Sequence, residues 1–334
     1  MKNTLPLVSI IIPCRNEEKF IQKCLESIIS QNYSKDKMEI LVIDGMSEDG
    51  TREILKKYQR EHSFIKVLDN PKKITPSALN TGIENSKGEI IIRMDAHATY
   101  KRDYISKSIE YLEKYKADNV GGVIRTLSAK NTITAKAITV SLSHPFGTGG
   151  SYFRIGVKKP KWVDTVFGGC YRREIFGKIG LFNEKLLRSQ DMEFNLRLKK
   201  AGGKILLVPD IVSYYYPKSS NLKNFFLSNF KDGFWQTYEF KFTKKAYRLR
   251  HYLPLLFVLI LIGSGILTIF FSLFALFFLS VVGLYLFFAF YFSLKIVVRR
   301  KEWKYLFLVP FAFICRHFGH GLGSLIGIVK IFLP

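Results

Sequence analysis

The 334-residue chain carries 51 Lys and Arg against 27 Asp and Glu, a net charge of +24, and 48% of it is hydrophobic. It exceeds one average domain, and its apolar content is unevenly spread. The four cysteines, Cys14, Cys24, Cys170 and Cys315, show no CxxC or other metal-ligand spacing, which excludes a cysteine-based metal module.

The first 130 residues alternate strand-like and helix-like patterns. "LVSIII" (7 to 12) is a β-branched run of the kind found in a parallel strand covered on both faces. It is too short for a cleavable signal and is broken by Pro13. Asn16 is placed to cap a helix that opens with Glu17 and Glu18. Phe20, Ile21, Cys24, Leu25, Ile28 and Ile29 continue it at helical spacing. "EILVID" (39 to 44) predicts a second strand, and a helix follows from about Thr51 to Arg60. "IKVLD" reads as a short strand. Thr75, with Pro76 at the first helical position, starts a helix that ends near Gly88. "EIIIRMD" is a fourth strand, which runs from Arg93 into Asp95 and then His97. Such alternation means βαβ crossovers and a parallel α/β sheet. Ligands of open sheets bind beyond the carboxyl ends of the strands. Here those ends, "PCRNE", "DGMSEDGT" and "DAH", are all polar and acid-bearing.

After residue 120 the pattern predicts a strand at "GGVIR", a helix over roughly 130 to 143 and a mobile glycine-rich loop, "HPFGTGGSYFR". Phe194, Leu196 and Leu198 with Lys199 and Lys200 predict a helix closed by Gly202. "NLKNFFLSNFKDGFWQTYEF" (221 to 240) carries Phe225, Phe226, Phe230, Phe234 and Trp235 on one helical face and reads as an interfacial helix.

Residues 253 to 294 then contain no Asp, Glu, Lys or Arg, 42 in succession. A bilayer core takes roughly 20 apolar residues per helical crossing. Two crossings fit, with the turn near Ser272 or, in a rival register, at Ser280 to Gly283. A third span, from about Tyr305 to Val329, carries Arg316, His317 and His320. Of the net charge, +18 precedes residue 253. Part of it, Lys241, Lys244, Lys245, Arg248 and Arg250, crowds the entry to the first span, and "KIVVRRKEWK" follows the second. Both lie on one face of a two-span hairpin, which the positive-inside rule makes cytoplasmic. Basic residues against a span favour anionic lipid over nucleic acid as partner. Cytoplasmic thiols stay reduced.

The order "VSIIIPCRNEE", "ILVIDGMSEDGT", "LNTGI", "IIIRMDAH", "FGGCYRREIF" and "QDMEFNLRL" resembles family 2 glycosyltransferases of the GT-A fold. The glycine-rich loop, "GGCYRR" and the three spans look most like membrane-bound exopolysaccharide enzymes of the succinoglycan-glucosyltransferase type. The resemblance covers nearly the whole chain. It implies a GT-A nucleotide-diphospho-sugar transferase domain over 1–220, an interfacial basic segment over 221–252 and a membrane domain over 253–334.

The resemblance also implies chemistry. A sugar nucleotide, a UDP-sugar by the family's pattern, leaves a diphosphate whose charge a Mn²⁺ or Mg²⁺ ion neutralises. Asp95 matches the first position of the family's Asp-x-Asp metal motif, and His97 replaces its last Asp. An imidazole suits Mn²⁺ better than Mg²⁺; alternatively His97 contacts the diphosphate while Asp95 works alone. Pro13, Arg15 and Glu17 match the first nucleotide motif, Asp44 matches the carboxylate facing a uracil-type base, and Asn80 with Gly82 matches a segment near the nucleotide. Asn80 reads equally as a buried structural amide. Ser47 and Asp49 serve the turn before Thr51. Asp191 of "QDMEF" matches the base that takes the acceptor's proton in inverting transfer, and Gln190 stands where the family has an acid. Asp191 also reads as a helix cap. Glu193 binds acceptor or supports Arg197. Gly168 and Gly169 permit close approach of a sugar or make a turn, and Arg172 and Arg173 meet diphosphate, lipid-linked acceptor or solvent. "NFKDGFWQ" does not match the family's processive Q-x-x-R-W motif, so Trp235 covers an acceptor channel without implying a polymerase. Ionisable groups within a span tend to be functional or paired, so Arg316 and the two histidines are expected to face a polyprenyl-diphosphate-linked acceptor. Two other readings stay open: a polyprenyl-phosphate sugar synthase, and an inactive membrane scaffold.

Overall fold

The computed structural model describes residues 5–243 and 249–333; Lys244, Lys245 and Arg248 of the basic cluster lie outside them. In chain order the elements begin with β1 (Val8–Cys14), α1 (Ile21–Ile29), β2 (Met38–Asp44), α2 (Thr51–Glu61), β3 (Ile65–Asp69), α3 (Thr75–Glu84) and β4 (Ile90–Arg93). There follow β5 (Ala98–Tyr100), α4 (Tyr104–Lys114), β6 (Asn119–Thr126), α5 (Ile133–Leu142), α6 (Pro145–Thr148), α7 (Tyr152–Ile155), β7 (Lys161–Trp162) and β8 (Phe167–Arg172). The rest are α8 (Glu174–Ile179), α9 (Gln190–Lys200), β9 (Ile205–Tyr215), α10 (Leu222–Tyr238), α11 (Phe240–Thr243), α12 (Leu253–Leu267), α13 (Ser272–Arg300) and α14 (Tyr305–Phe332). By internal contacts the chain divides into two units, one of residues 1–125 and 152–216, the other of residues 126–151 and 217–334.

In the first unit the strands form one sheet in the order β3-β2-β1-β4-β8-β6-β9-β5, with β7 on β9. The first four are parallel, joined by the crossovers that the sequence predicts. β8 pairs antiparallel with β4 and β6, and β9 pairs antiparallel with β5 and β7, so the sheet is mixed rather than parallel. The reason lies in the connections. β8 enters beside β4 from the far end, and no helix of βαβ type returns the chain between them.

The parallel strands are apolar without a break because both faces are covered. Ile10 and Ile12 of β1 pack with Ile21, Cys24, Leu25 and Ile28 of α1. Ile11, together with Leu41 and Ile43 of β2, packs with Ala78, Leu79 and Ile83 of α3. Period-two alternation puts Ile91 of β4 on this second face, which also holds Phe194 of α9. Arg93, two residues on, follows Ile91 to that side. The register places Cys14 beside Asp44, and Asp44 beside Asp69, so the carboxyl ends form one edge. Asn16 is not the helix cap that the sequence suggests. It adopts φ 53°, its side chain accepts from the Glu48 N–H at 3.0 Å, and α1 begins only at Ile21.

The second unit holds three helices long and apolar enough to cross a membrane, spanning Leu249–Leu267, Ser272–Arg300 and Tyr305–Phe332. The turn between the first two falls before Ser272, the first of the two registers. The glycines of α14 set its packing. A methyl group on Gly323 would overlap the Phe230 carbonyl oxygen of α10, and one on Gly321 would overlap that of Pro254 on α12. Small residues of this kind let helix backbones approach closely. α10 is therefore packed through one face against α14 rather than lying alone. α5 joins the same unit, its Ala137 and Val140 packing with Val297, Val309 and Phe313. The stretch read from sequence as a loop contains α6 and α7.

Candidate active site

Arg93 ends β4 with its side chain only 9% exposed. Its guanidinium binds Asp95 Oδ1 at 3.0 Å and, through Nη1, also Asp191 Oδ1. One cation therefore joins two carboxylates 96 residues apart. Asp191 is the more open, 28% exposed against 13% for Asp95. The backbone behind this pair is crowded. Gly168 has φ 68°, and a Cβ there would come within 2.8 Å of the Arg93 carbonyl oxygen, so the glycine permits approach of β4 itself. Gly169, φ 124°, is covered by the Tyr171 ring.

Asp191 is held by its helix. Ser189, in the left-handed conformation at φ 60°, turns the chain into α9, and Asp191 falls in the first turn, where the helix dipole favours an anion. Phe194 locks the helix down, stacked on Phe182 at 4.5 Å and edge-on to Tyr171 at 5.5 Å. Asn195, fully buried, bonds Asn119 and Thr165 at 2.9 Å each. Glu193 is buried and paired with Arg197 at 2.8 Å, and Arg197 in turn holds the Leu181 carbonyl at 2.8 Å.

Asp95 sits in a turn fixed by Tyr100, whose hydroxyl oxygen accepts the Asp95 N–H at 2.7 Å. Burial raises the Tyr100 pKa well above its ordinary value, so the phenol keeps its proton. His97 Nδ1 lies 3.2 Å from Glu17 Oε1, and its ring meets Tyr215 edge-on at 5.1 Å. A carboxylate only accepts, so in the neutral ring Nδ1 carries the proton and Nε2 keeps a lone pair. Glu17 is itself set in place by its own N–H, which donates to Thr51 Oγ1 at 2.8 Å. Among the described residues no three His, Cys, Asp or Glu side chains gather as a metal set. Asp95 and His97 offer one carboxylate and one imidazole with its partner nitrogen anchored, a combination that fits a divalent ion sharing its shell with substrate phosphates and water.

The remaining candidates lie along the same strand edge or away from it. Pro13 lies one residue before the end of β1, beside Ile43, and Arg15 is exposed just beyond the strand. Asp44 is fully buried, taking the Ser47 N–H at 3.1 Å and Arg52 Nε at 3.2 Å. Asp49 accepts the Thr51 N–H at 3.1 Å. Asn80 spends both ends of its amide on the chain, accepting the Phe182 N–H and donating to the Phe182 carbonyl, each at 2.9 Å. Arg173 holds the Gly88 carbonyl at 2.6 Å, and Arg172 lies 3.7 Å from Glu113. Trp235 belongs to α10 in the second unit, edge-on to Phe234 and Tyr238. There too, Arg316 bonds the Gly147 carbonyl and Asn229, His317 bonds Phe146 and Tyr285, and His320 bonds Gln236. These side chains fasten α14 to α6, α10 and α13. The residue that sequence reasoning passed over is Arg93. A charge inside a buried four-residue strand was the available signal.

Comparison with known proteins identifies the family and the fold. The description "Glycosyl transferase family 2" matches residues 9–180. The chain is 38% identical over 221 residues to the dolichyl N-acetyl-α-D-glucosaminyl phosphate 3-β-D-2,3-diacetamido-2,3-dideoxy-β-D-glucuronosyltransferase of Methanococcus voltae, covering 64% of this chain and 68% of the relative. It is 31% identical to the succinoglycan biosynthesis protein ExoA of Rhizobium meliloti, over 63% of each. Its fold is similar to that of a mannosyltransferase from Pyrobaculum calidifontis, solved in complex with GDP-Man and Mn²⁺. That likeness has a TM-score of 0.58 at 19% identity and covers 94% of this chain and 88% of the other. GalNAc-T7, solved with UDP, GalNAc and Mn²⁺, matches at a TM-score of 0.52 and 17% identity, over 74% and 53% of the two chains. With a matched family covering half its length and a mixed sheet of GT-A type, the chain belongs to glycosyl transferase family 2.

Proposed function

We propose that the protein is an inverting glycosyltransferase that moves one sugar from a nucleotide-diphosphate donor, a UDP-sugar, to a lipid-linked saccharide at the cytoplasmic side of a membrane. The observation that carries this reading is the Arg93 bridge, which brings Asp95 and Asp191 into one site. The nucleotide lies over the carboxyl ends of β1 and β2, near Pro13, Arg15 and Asp44. Glu17 and Asn80 act by holding His97 and the Phe182 loop in place. Asp95 and His97 would hold a divalent ion, Mn²⁺ in preference to Mg²⁺, which supplies charge neutralisation at the diphosphate leaving group.

Asp191, the more exposed acid, takes the proton of the acceptor hydroxyl as that oxygen attacks the anomeric carbon from the face opposite the leaving group. Asp191 Oδ1 is taken up by Arg93, so the acceptor must loosen this contact as it enters. Glu193 supports Arg197 beneath the acceptor side, with Gly168 and Gly169 at the floor. The lipid-linked acceptor draws on the named activity of the Methanococcus relative and on the three spans.

Membranes that contain the protein, incubated with labelled UDP-sugars and Mn²⁺, should place label on a polyprenyl-linked saccharide. Label on bare polyprenyl phosphate instead would make it a lipid-phosphate sugar synthase, and label on neither would overturn the reading.

A further inference from the structure

The end of α13 carries a feature that sugar transfer does not use. Arg299 and Arg300 form its last turn, and both are exposed. With Ile296 they line a cavity of about 450 Å³ whose other wall is Val140 of α5 and the Ser143 and His144 that follow it. All six residues belong to the second unit. The volume lies within the roughly 300–1,000 Å³ of small-molecule sites.

The cavity's charge is uncompensated. Among the described residues neither Arg299 nor Arg300 has a carboxylate within ion-pair distance. The nearest acid in sequence, Glu302, is taken by Lys304 at 3.1 Å. His144, also on the lining, carries a donor of its own. Its Nδ1 accepts the Phe146 N–H at 3.2 Å, so in the neutral ring the proton sits on Nε2. Burial lowers the His144 pKa, which favours that neutral form. The Ser143 hydroxyl gives its proton to the Thr139 carbonyl at 3.0 Å and adds no donor. Val140 and Ile296 make the remaining wall apolar.

Depth in the bilayer narrows the ligand. A helix of 29 residues is about 43 Å long, beyond the roughly 30 Å hydrocarbon core. With Ser272 to Leu294 uncharged, the turn bearing Arg299 and Arg300 falls at headgroup level. Positive-inside topology accounts for basic residues there. It does not account for their lining a concavity with side chains from a helix some 150 residues earlier.

We infer that this cavity binds the phosphate head of a membrane lipid, with the two guanidiniums on the phosphate oxygens and Val140 and Ile296 against the first carbons of the chain. The lipid is either the polyprenyl phosphate carrier or an ordinary anionic phospholipid. The chemistry is shared, and the site does not depend on the transfer reading.

The test uses the full chain in phosphatidylcholine nanodiscs, with native mass spectrometry reading retention of farnesyl phosphate, phosphatidylglycerol or farnesol. The unaltered protein should retain the phosphate lipids and not farnesol. Arg299→Gln with Arg300→Gln should weaken retention by about ten- to a hundred-fold, the scale of lost charge-assisted hydrogen bonds. The Lys pair should restore most of it, and Arg300→Gln alone should fall between. Lys295→Gln with Lys301→Gln, which removes equal charge beside the cavity, should bind normally. Retention of farnesyl phosphate in preference to phosphatidylglycerol assigns the cavity to the carrier, and equal retention assigns it to phospholipid. Unchanged retention by the Gln pair, equal loss in the Lys295 and Lys301 control, or farnesol retained as well as its phosphate would each overturn the inference.

Discussion

Replacing Arg93 by leucine would leave the carboxylates of Asp95 and Asp191 facing one another with no cation between them. Removing one partner of a buried ion pair costs about 3–5 kcal/mol, so Arg93→Leu should melt well below the unaltered protein in detergent. Arg93→Lys keeps the charge but not the fork that reaches both acids. It should recover most of the stability and little of the transfer rate; a Leu variant with unchanged melting and turnover would remove Arg93 from the account. Glu17 makes a separate claim. If it sets the His97 tautomer, Glu17→Gln should weaken Mn²⁺ binding to the donor-free protein by about 10–100-fold, read by electron paramagnetic resonance titration. Unchanged affinity would mean that His97 is no ligand or needs no partner. Asp95, His97 and Asp191 were legible as single letters in motifs. That the two acids converge on one cleft was implied by those matches; the cation that joins them, Arg93, was not, because a cation serving two acids 96 residues apart is a product of the mixed sheet, and no local pattern encodes it.

The strand–helix alternation up to β4 was readable because each crossover is local and each parallel strand is apolar on both faces. The second half of the sheet was not. β8 reaches β4 from more than 70 residues away, and its six residues include two glycines whose left-handed φ breaks any alternation. The glycines of α14 make a close-packing face, but the sequence did not name α10 as its partner, because an aromatic amphipathic face gives the same signal against a helix as at a membrane surface. The packing predicts that Gly323→Val will drive α10 from α14, since the added carbons have no space beside Phe230. Overpacking of this kind costs roughly 1–3 kcal/mol. Protease cleavage within 217–250 should speed up, while cleavage in the sheet unit should not. Equal resistance throughout would show that the two helices are not tightly packed.

At the scale of the whole chain, a soluble-looking sheet unit and three apolar helices share one sequence, and residues 126–151 cross from the first into the second. That crossing was hidden from sequence because α5 is apolar and short, as suited to a domain core as to a bundle of spans. Under the proposed function the division has a chemical logic: a polar donor would be handled at a sheet edge, and a lipid-linked acceptor would call for apolar helices. The central claim is that Asp95 and Asp191 serve one reaction from one site, the first toward the donor and the second toward the acceptor hydroxyl. Its most direct test is Asp191→Asn, with UDP-sugar binding and transfer to a lipid-linked saccharide measured on the same preparation. The account predicts binding within about two-fold of the unaltered protein and transfer slowed by roughly 10²–10⁴-fold, the range of a lost general base. Transfer at the original rate, with binding intact, would contradict it.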